Sequence, residues 1–215
     1  MKLKDKLHFI PNVLSISRLV LTVIVIVLMF VRSKEVYSFN FLNLKTSIDQ
    51  TFLAAGVFFT VACFTDFLDG FLARKYNWVS DFGKIWDSIS DKVLTSLVYI
   101  GLAVLQMIPF YFVLIMIFRD FVIDGYRMAS SKKGIIVPAN IFGKIKAVLQ
   151  MISIIIIFFA FNFDGSYDST NIEYYFIQNL FVILSTLSSV ISGVIYVVRI
   201  ERQMKEIKLT NQIKQ

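Results

Sequence analysis

Residues 66–91 read DFLDGFLARKYNWVSDFGKIWDSISD, which sets four carboxylates, Asp66, Asp69, Asp87 and Asp91, between two strongly apolar stretches. An acid inside a membrane segment costs at least about 2.5 kcal/mol, so four gathered at one place need a compensating partner. Asp66 and Asp69 are three apart and Asp87 and Asp91 four apart, so on helices each pair shares one face. The first pair closes an apolar run that begins near Thr51, the second opens one that ends near Met107, and only residues 75–81 turn the chain between them. Two helices joined that way are antiparallel neighbours, with all four acids at similar depth near one membrane face. Carboxylates about 4 Å apart repel by roughly 4 kcal/mol at an effective dielectric of about 20, and either protonation or divalent cations must relieve this. Two hard cations would neutralise the quartet, and all-oxygen ligation suits Mg2+ or Mn2+. Paired metals are a recurring device for in-line displacement at phosphorus. Gly70, Ala73 and Gly83 let backbones, or a backbone and a nucleotide, approach closely, and Arg74 offers a fork for a phosphate.

The order D-x-x-D-G-x-x-A-R, eight residues, then G-x-x-x-D-x-x-x-D resembles without a gap the signature of the CDP-alcohol phosphotransferases, integral membrane enzymes of phospholipid synthesis. The resemblance implies that family's helical membrane fold and a dinuclear metal site at Asp66, Asp69, Asp87 and Asp91 that grips the diphosphate of a CDP-linked lipid. It also implies that Asp91 acts as base towards the acceptor alcohol, and that Gly70, Ala73, Arg74 and Gly83 seat the CDP. Ser88 stands where many relatives carry proline, an exchange that removes no ligand.

Composition points to the bilayer independently. Hydrophobic residues make up 57% of the 215, and the mean hydropathy is +0.71, values foreign to a soluble domain of this length. Roughly six spanning helices of about 20 residues fit, leaving room for one domain over residues 1–215 and for no separate soluble one. The net charge of +7 does not argue for nucleic acid. The basic residues sit at the ends of apolar runs, where they set membrane orientation and meet anionic lipid headgroups. Cys63 is the single cysteine, which excludes a disulfide framework and a thiolate metal site within one chain.

Taken in order, residues 1–11 alternate Lys2, Lys4, Lys6 and His8 with apolar residues, which suits a short interfacial helix better than a signal peptide lacking a small-residue cleavage site. The first span, 12–31, opens with Asn12, Ser15, Ser17 and Arg18. Arg18 either snorkels to the headgroups or faces a watery cavity. The P-N-x-x-S-x-x-R opening is similar to one that lies beside the nucleotide site in the family, which implies Asn12 and Arg18 as further CDP contacts. Residues 32–48 read as a polar loop, and spans at about 49–74 and 82–107 carry the acid motif.

A turn at Ile108 and Pro109 leads to a fourth span, reaching about residue 130, whose second half holds Arg119, Asp120, Asp124 and Arg127. These residues form either an internal salt-bridge network or an anion pocket for the acceptor. Lys144 and Lys146 at the base of the fifth span arrive on the same side. The run Arg119-Asp120, Gly125-Tyr126-Arg127, Gly143-Lys144-Ile145-Lys146 is similar to that of the phosphatidylglycerophosphate synthases within the family. That similarity implies CDP-diacylglycerol as donor and sn-glycerol 3-phosphate as acceptor, with Arg119, Arg127, Lys144 and Lys146 clamping the acceptor phosphate and direct displacement releasing CMP. Within the family, inositol phosphate or phosphatidylglycerol are the alternative acceptors. A cation transporter is the alternative outside it, although its acids would sit at the bilayer midplane. The sixth span, about 174–198, has a small-residue face at Ser185, Thr186, Ser188, Ser189, Ser192 and Gly193, suited to helix packing within the chain or in a homodimer. Of the 22 lysines and arginines, only Arg32, Lys34 and Lys45 fall opposite the others, which puts both termini and the acids on the cytoplasmic side of the cell membrane.

Overall fold

The three prolines of the chain are Pro11, Pro109 and Pro138, and all fall where a helix begins or between helices, so no apolar run is broken from within. The computed structural model describes residues 10–31, 36–41, 44–76, 81–132, 141–160 and 172–213, with side chains described over 16–31, 49–66, 89–131, 141–159 and 179–206 and at Trp86. The described chain runs in order through α1 (Ile10–Phe30), β1 (Val36–Phe41), β2 (Leu44–Asp49), α2 (Gln50–Tyr76), α3 (Asp81–Val104), α4 (Phe110–Lys132), α5 (Ile141–Ala160) and α6 (Ile172–Ile213). The expected interfacial segment lies outside the described residues through Phe9, and from Ile10 the chain is already in α1.

Two expectations change. The polar loop expected at 32–48 contains an antiparallel hairpin, with Val36 opposite Asp49 and Phe41 opposite Leu44. Its alternate positions Tyr37, Phe39, Phe41, Leu44 and Ile48 are apolar in sequence, the period of a strand with one apolar side. The sixth span, expected at about 174–198, continues as helix to Ile213 in α6.

The chain packs as two compact units, residues 1–107 with 154–178 and residues 108–153 with 179–215. In the first, α1 packs along both α2 and α3. Its buried apolar residues include Val25 and Met29 of α1, Phe52, Ala55, Phe59 and Ala62 of α2, Leu94, Val98, Tyr99 and Leu102 of α3, and Ile154, Ile157 and Phe158 of α5. Glycines allow the closest approaches, as expected where lipid removes the hydrophobic drive and dispersion contacts decide packing. A methyl on Gly56 would lie 2.7 Å from Cβ of Phe158, whose ring meets Phe52 at 4.8 Å and Phe59 at 6.0 Å. A methyl on Gly101 would lie 2.9 Å from the end of Met29. Two residues beyond the end of α3, Gln106 takes a φ of 59°. Met107 N–H donates to the Leu102 carbonyl (2.9 Å) and Gln106 N–H to that of Ala103 (3.0 Å). This closure satisfies two terminal carbonyls and buries Leu102 against the turn.

In the second unit α4 and α6 run parallel. Met116 meets Ser185, Arg119 meets Ser192, and Ile123 packs with Tyr196 and Ile200 beside Tyr126 and Met204. Ser185, Thr186, Ser189 and Ser192 are buried, so much of the small-residue face serves packing inside the chain. Hydroxyls along the helices bond backwards, as Thr186 to the Val182 carbonyl and Ser153 to that of Gln150, which leaves few polar groups for lipid to cover. Large apolar side chains point outward, among them Phe118, Phe121, Leu187 and Val194. Among the described residues, two helical stretches, Ile141–Phe159 and Asn179–Glu206, are long and apolar enough to cross a membrane, and Ile16–Phe30 and Gln50–Asp66 form shorter apolar stretches.

Candidate active site

Three helices of the first unit meet at a charged centre. Arg18 on α1 lies at 0% exposure. One terminal nitrogen donates to Oδ1 of Asp66 on α2 at 2.7 Å, the other to Oδ1 of Asp91 on α3 at 2.5 Å. The nitrogen that reaches Asp91 also lies 3.5 Å from the Ser90 hydroxyl. The helix backbone is tied in at the same level. Thr22 donates to the Arg18 carbonyl, Ser90 to that of Trp86, and Thr95 to that of Asp91. A buried guanidinium without carboxylates, or the reverse, would cost several kcal/mol, so each requires the other. The two acids are the outer members of the quartet, 25 residues apart in sequence yet held by a single side chain.

A second cluster lies in the other unit. Asp120 of α4 accepts from the Lys146 ammonium of α5 through both oxygens, at 2.5 and 2.6 Å, and from Arg119 at 2.7 Å. The second terminal nitrogen of Arg119 donates to Ser192 of α6 at 2.9 Å, while its Nε is buried with no hydrogen-bond partner among the described residues. The arginine stem passes Gly193 so closely that a methyl there would lie 3.1 Å from Cγ and Nε. Two cations thus share one carboxylate, and charge-assisted donors of this kind suit an anion.

The family model for CDP-alcohol phosphatidyltransferase matches residues 8–198. The chain belongs to the CDP-alcohol phosphatidyltransferase family. Among its relatives, a protein of Mycoplasma pneumoniae named CDP-diacylglycerol–glycerol-3-phosphate 3-phosphatidyltransferase is 36% identical over 202 residues, 91% of this chain and 89% of the relative. Proteins of the same name from Mycoplasma genitalium and Bacillus subtilis are each 34% identical, over 165 residues (75% of this chain, 70% of the relative) and 148 residues (67% and 74%).

Within this CDP-alcohol phosphatidyltransferase the expected site residues divide by what surrounds them. Asp69, Gly70, Ala73 and Arg74 fall in α2, Gly83 and Asp87 in α3, and Asn12 in α1, and their side chains lie outside the described residues. For that reason the described residues alone form no group of three metal ligands. Asp66 and Asp91 do come together, partly exposed at 21% and 35% against 1% for the arginine between them. Two partly exposed hard oxygen donors, each one helical turn from a further aspartate, fit a divalent cation. Arg18, expected at the nucleotide, has its fork on the acids. Arg119 and Lys146, expected as phosphate ligands, converge on Asp120, whereas Arg127 is exposed with its guanidinium 5.7 Å above the Tyr196 ring. Lys144 is exposed, two residues and hence about 160° around α5 from the buried Lys146. Little in the sequence marks Ser90 or Ser192. The usable signal was that each adjoins a motif or small-residue position, Ser90 preceding Asp91 and Ser192 preceding Gly193.

If Gly193 is kept small to seat Arg119, Gly193→Ala should raise the KM for the acceptor about three- to tenfold with little change in the KM for the CDP-lipid. Initial rates at varied acceptor concentration would check this, since an arginine whose two terminal nitrogens are held by Asp120 and Ser192 cannot easily yield a few tenths of an ångström.

Proposed function

We propose that the chain transfers a phosphatidyl group from CDP-diacylglycerol to the primary hydroxyl of sn-glycerol 3-phosphate, giving phosphatidylglycerol phosphate and CMP. The observation that carries the chemistry is the meeting of Asp66 and Asp91 at one guanidinium, in a chain whose family match spans nearly its whole length. The acceptor rests on the names of the relatives and on the Arg119–Asp120–Lys146 cluster, which a phosphorylated acceptor needs and a neutral alcohol does not.

Asp66, Asp69, Asp87 and Asp91 would hold two divalent cations, Mg2+ or Mn2+, which when bound supply charge neutralisation and polarisation of the diphosphate. Asp91 takes the proton of the attacking hydroxyl as the new oxygen–phosphorus bond forms and the bond to CMP breaks in line, CMP leaving with the electron pair. Asn12, Gly70, Ala73, Arg74 and Gly83 seat the CDP. Arg119, Arg127, Lys144 and Lys146 grip the acceptor phosphate, so that the hydroxyl is delivered at high effective concentration. The whole chain serves as one catalytic domain in a multi-pass protein of the cell membrane, six helices crossing and both termini cytoplasmic, working as a homodimer among membrane lipids. The excess of lysine and arginine on one side and the outward apolar side chains support this placement.

The test is release of CMP by the purified protein from CDP-diacylglycerol with a panel of acceptors and Mg2+ or Mn2+. Glycerol 3-phosphate should be preferred over inositol phosphate, phosphatidylglycerol and neutral alcohols, and a strong chelator should stop release. Equal rates with every acceptor would overturn the acceptor assignment, and full activity in chelator would overturn the metal reading.

A further inference from the structure

Arg18 heads the fully buried side chains by volume, an unusual place for a permanent cation. It is stable there because its planar fork spends one terminal nitrogen on each of two carboxylates from different helices. It is buried, with its side chain 1% exposed, while the side chains of Asp66 and Asp91 are 21% and 35% exposed. A carboxylate offers about four acceptor positions, so an arginine at one of them is compatible with ligation at another. Ser90 stands within reach of the nitrogen that binds Asp91, and Thr22 ties down the backbone of Arg18 itself.

We infer that Arg18 is a positioning residue for the acid site, clamping Asp66 and Asp91 so that their remaining acceptor positions are held ready for a divalent cation. The inference rests on the metal reading proposed above and goes beyond it. Arg18 acts through the two acids and does not touch nucleotide or reacting atoms. A rigid fork is required, because a single ammonium cannot hold two carboxylates at a fixed spacing as two separate nitrogens do.

The experiment titrates Mn2+ into the full-length protein in detergent and follows the loss of the free-ion signal by electron paramagnetic resonance, in wild type, Arg18→Gln, Arg18→Lys and Met29→Ala. Met29 belongs to the same helix interface, packed against Gly101, and controls for loosened packing. Arg18→Gln is expected to weaken Mn2+ binding about ten- to hundredfold, the usual consequence of losing a partner that orients a metal ligand. Arg18→Lys is expected to weaken it by at least about threefold, and Met29→Ala to bind as wild type does even though its unfolding midpoint falls. If Arg18→Gln does not fold, Arg18→Lys carries the test alone. Wild-type affinity in the Arg18 variants, or an equal loss in Met29→Ala, overturns the inference while leaving the metal reading in place. A wild type that binds no Mn2+ overturns the metal reading itself, and this inference with it.

Discussion

Asp91→Asn should lower the rate of CMP release by about 10³-fold while the protein still folds and inserts, because the exchange removes a base and a charge but little volume. The asparagine keeps an oxygen where Asp91 accepts from Arg18, and the Thr95 hydroxyl still has the backbone carbonyl of position 91 to bond. The loss should therefore appear in kcat with the unfolding midpoint little changed. Release of CMP measured at saturating substrates, beside thermal unfolding in detergent, checks both halves. A rate within tenfold of wild type would remove Asp91 from the chemistry.

The second large effect is expected in the other cluster. Lys146 is buried at 7% exposure and bonds both oxygens of Asp120. Lys146→Met retains most of the stem and discards the charge. A charge-assisted hydrogen bond is worth about 1.5–3 kcal/mol, so the KM for glycerol 3-phosphate should rise roughly 10- to 100-fold. The KM for CDP-diacylglycerol should move less than about threefold. A rise shared equally by both substrates would mean that Lys146 supports the fold and does not read the acceptor.

Much of this was legible before any coordinates. Apolar runs interrupted only at Pro109, Pro138 and polar turns mark the helices, because a helix in lipid must be apolar nearly all round and that pattern survives in a single sequence. The hairpin was not legible in the same way. Leu42-Asn43, between its strands, contains no glycine and lacks the usual turn signal, so Tyr37, Phe39 and Phe41 pass for scattered loop aromatics. The acids were readable because charge at such spacing has few other uses. The partner of Arg18 was not, since it depends on α1 lying between α2 and α3, a packing fact that no local spacing records. Ser192 and Gly193 illustrate the same limit. As letters they denote a stripe suited to close helices, and only the neighbouring α4 reveals that the space is filled by Arg119. Arg127 fell within the same basic motif, yet the rise of α4 carries it two turns along the helix, to Tyr196.

The seat of Arg119 has a consequence for how tightly an anion can be held. A free arginine side chain samples many rotamers, and fixing one costs roughly 2 kcal/mol. Pinned between Asp120 and Ser192 with its stem against Gly193, Arg119 has surrendered that freedom while the chain folds. A phosphate gripped there, as proposed, would meet a donor already immobilised, and its binding would not be weakened by having to order one.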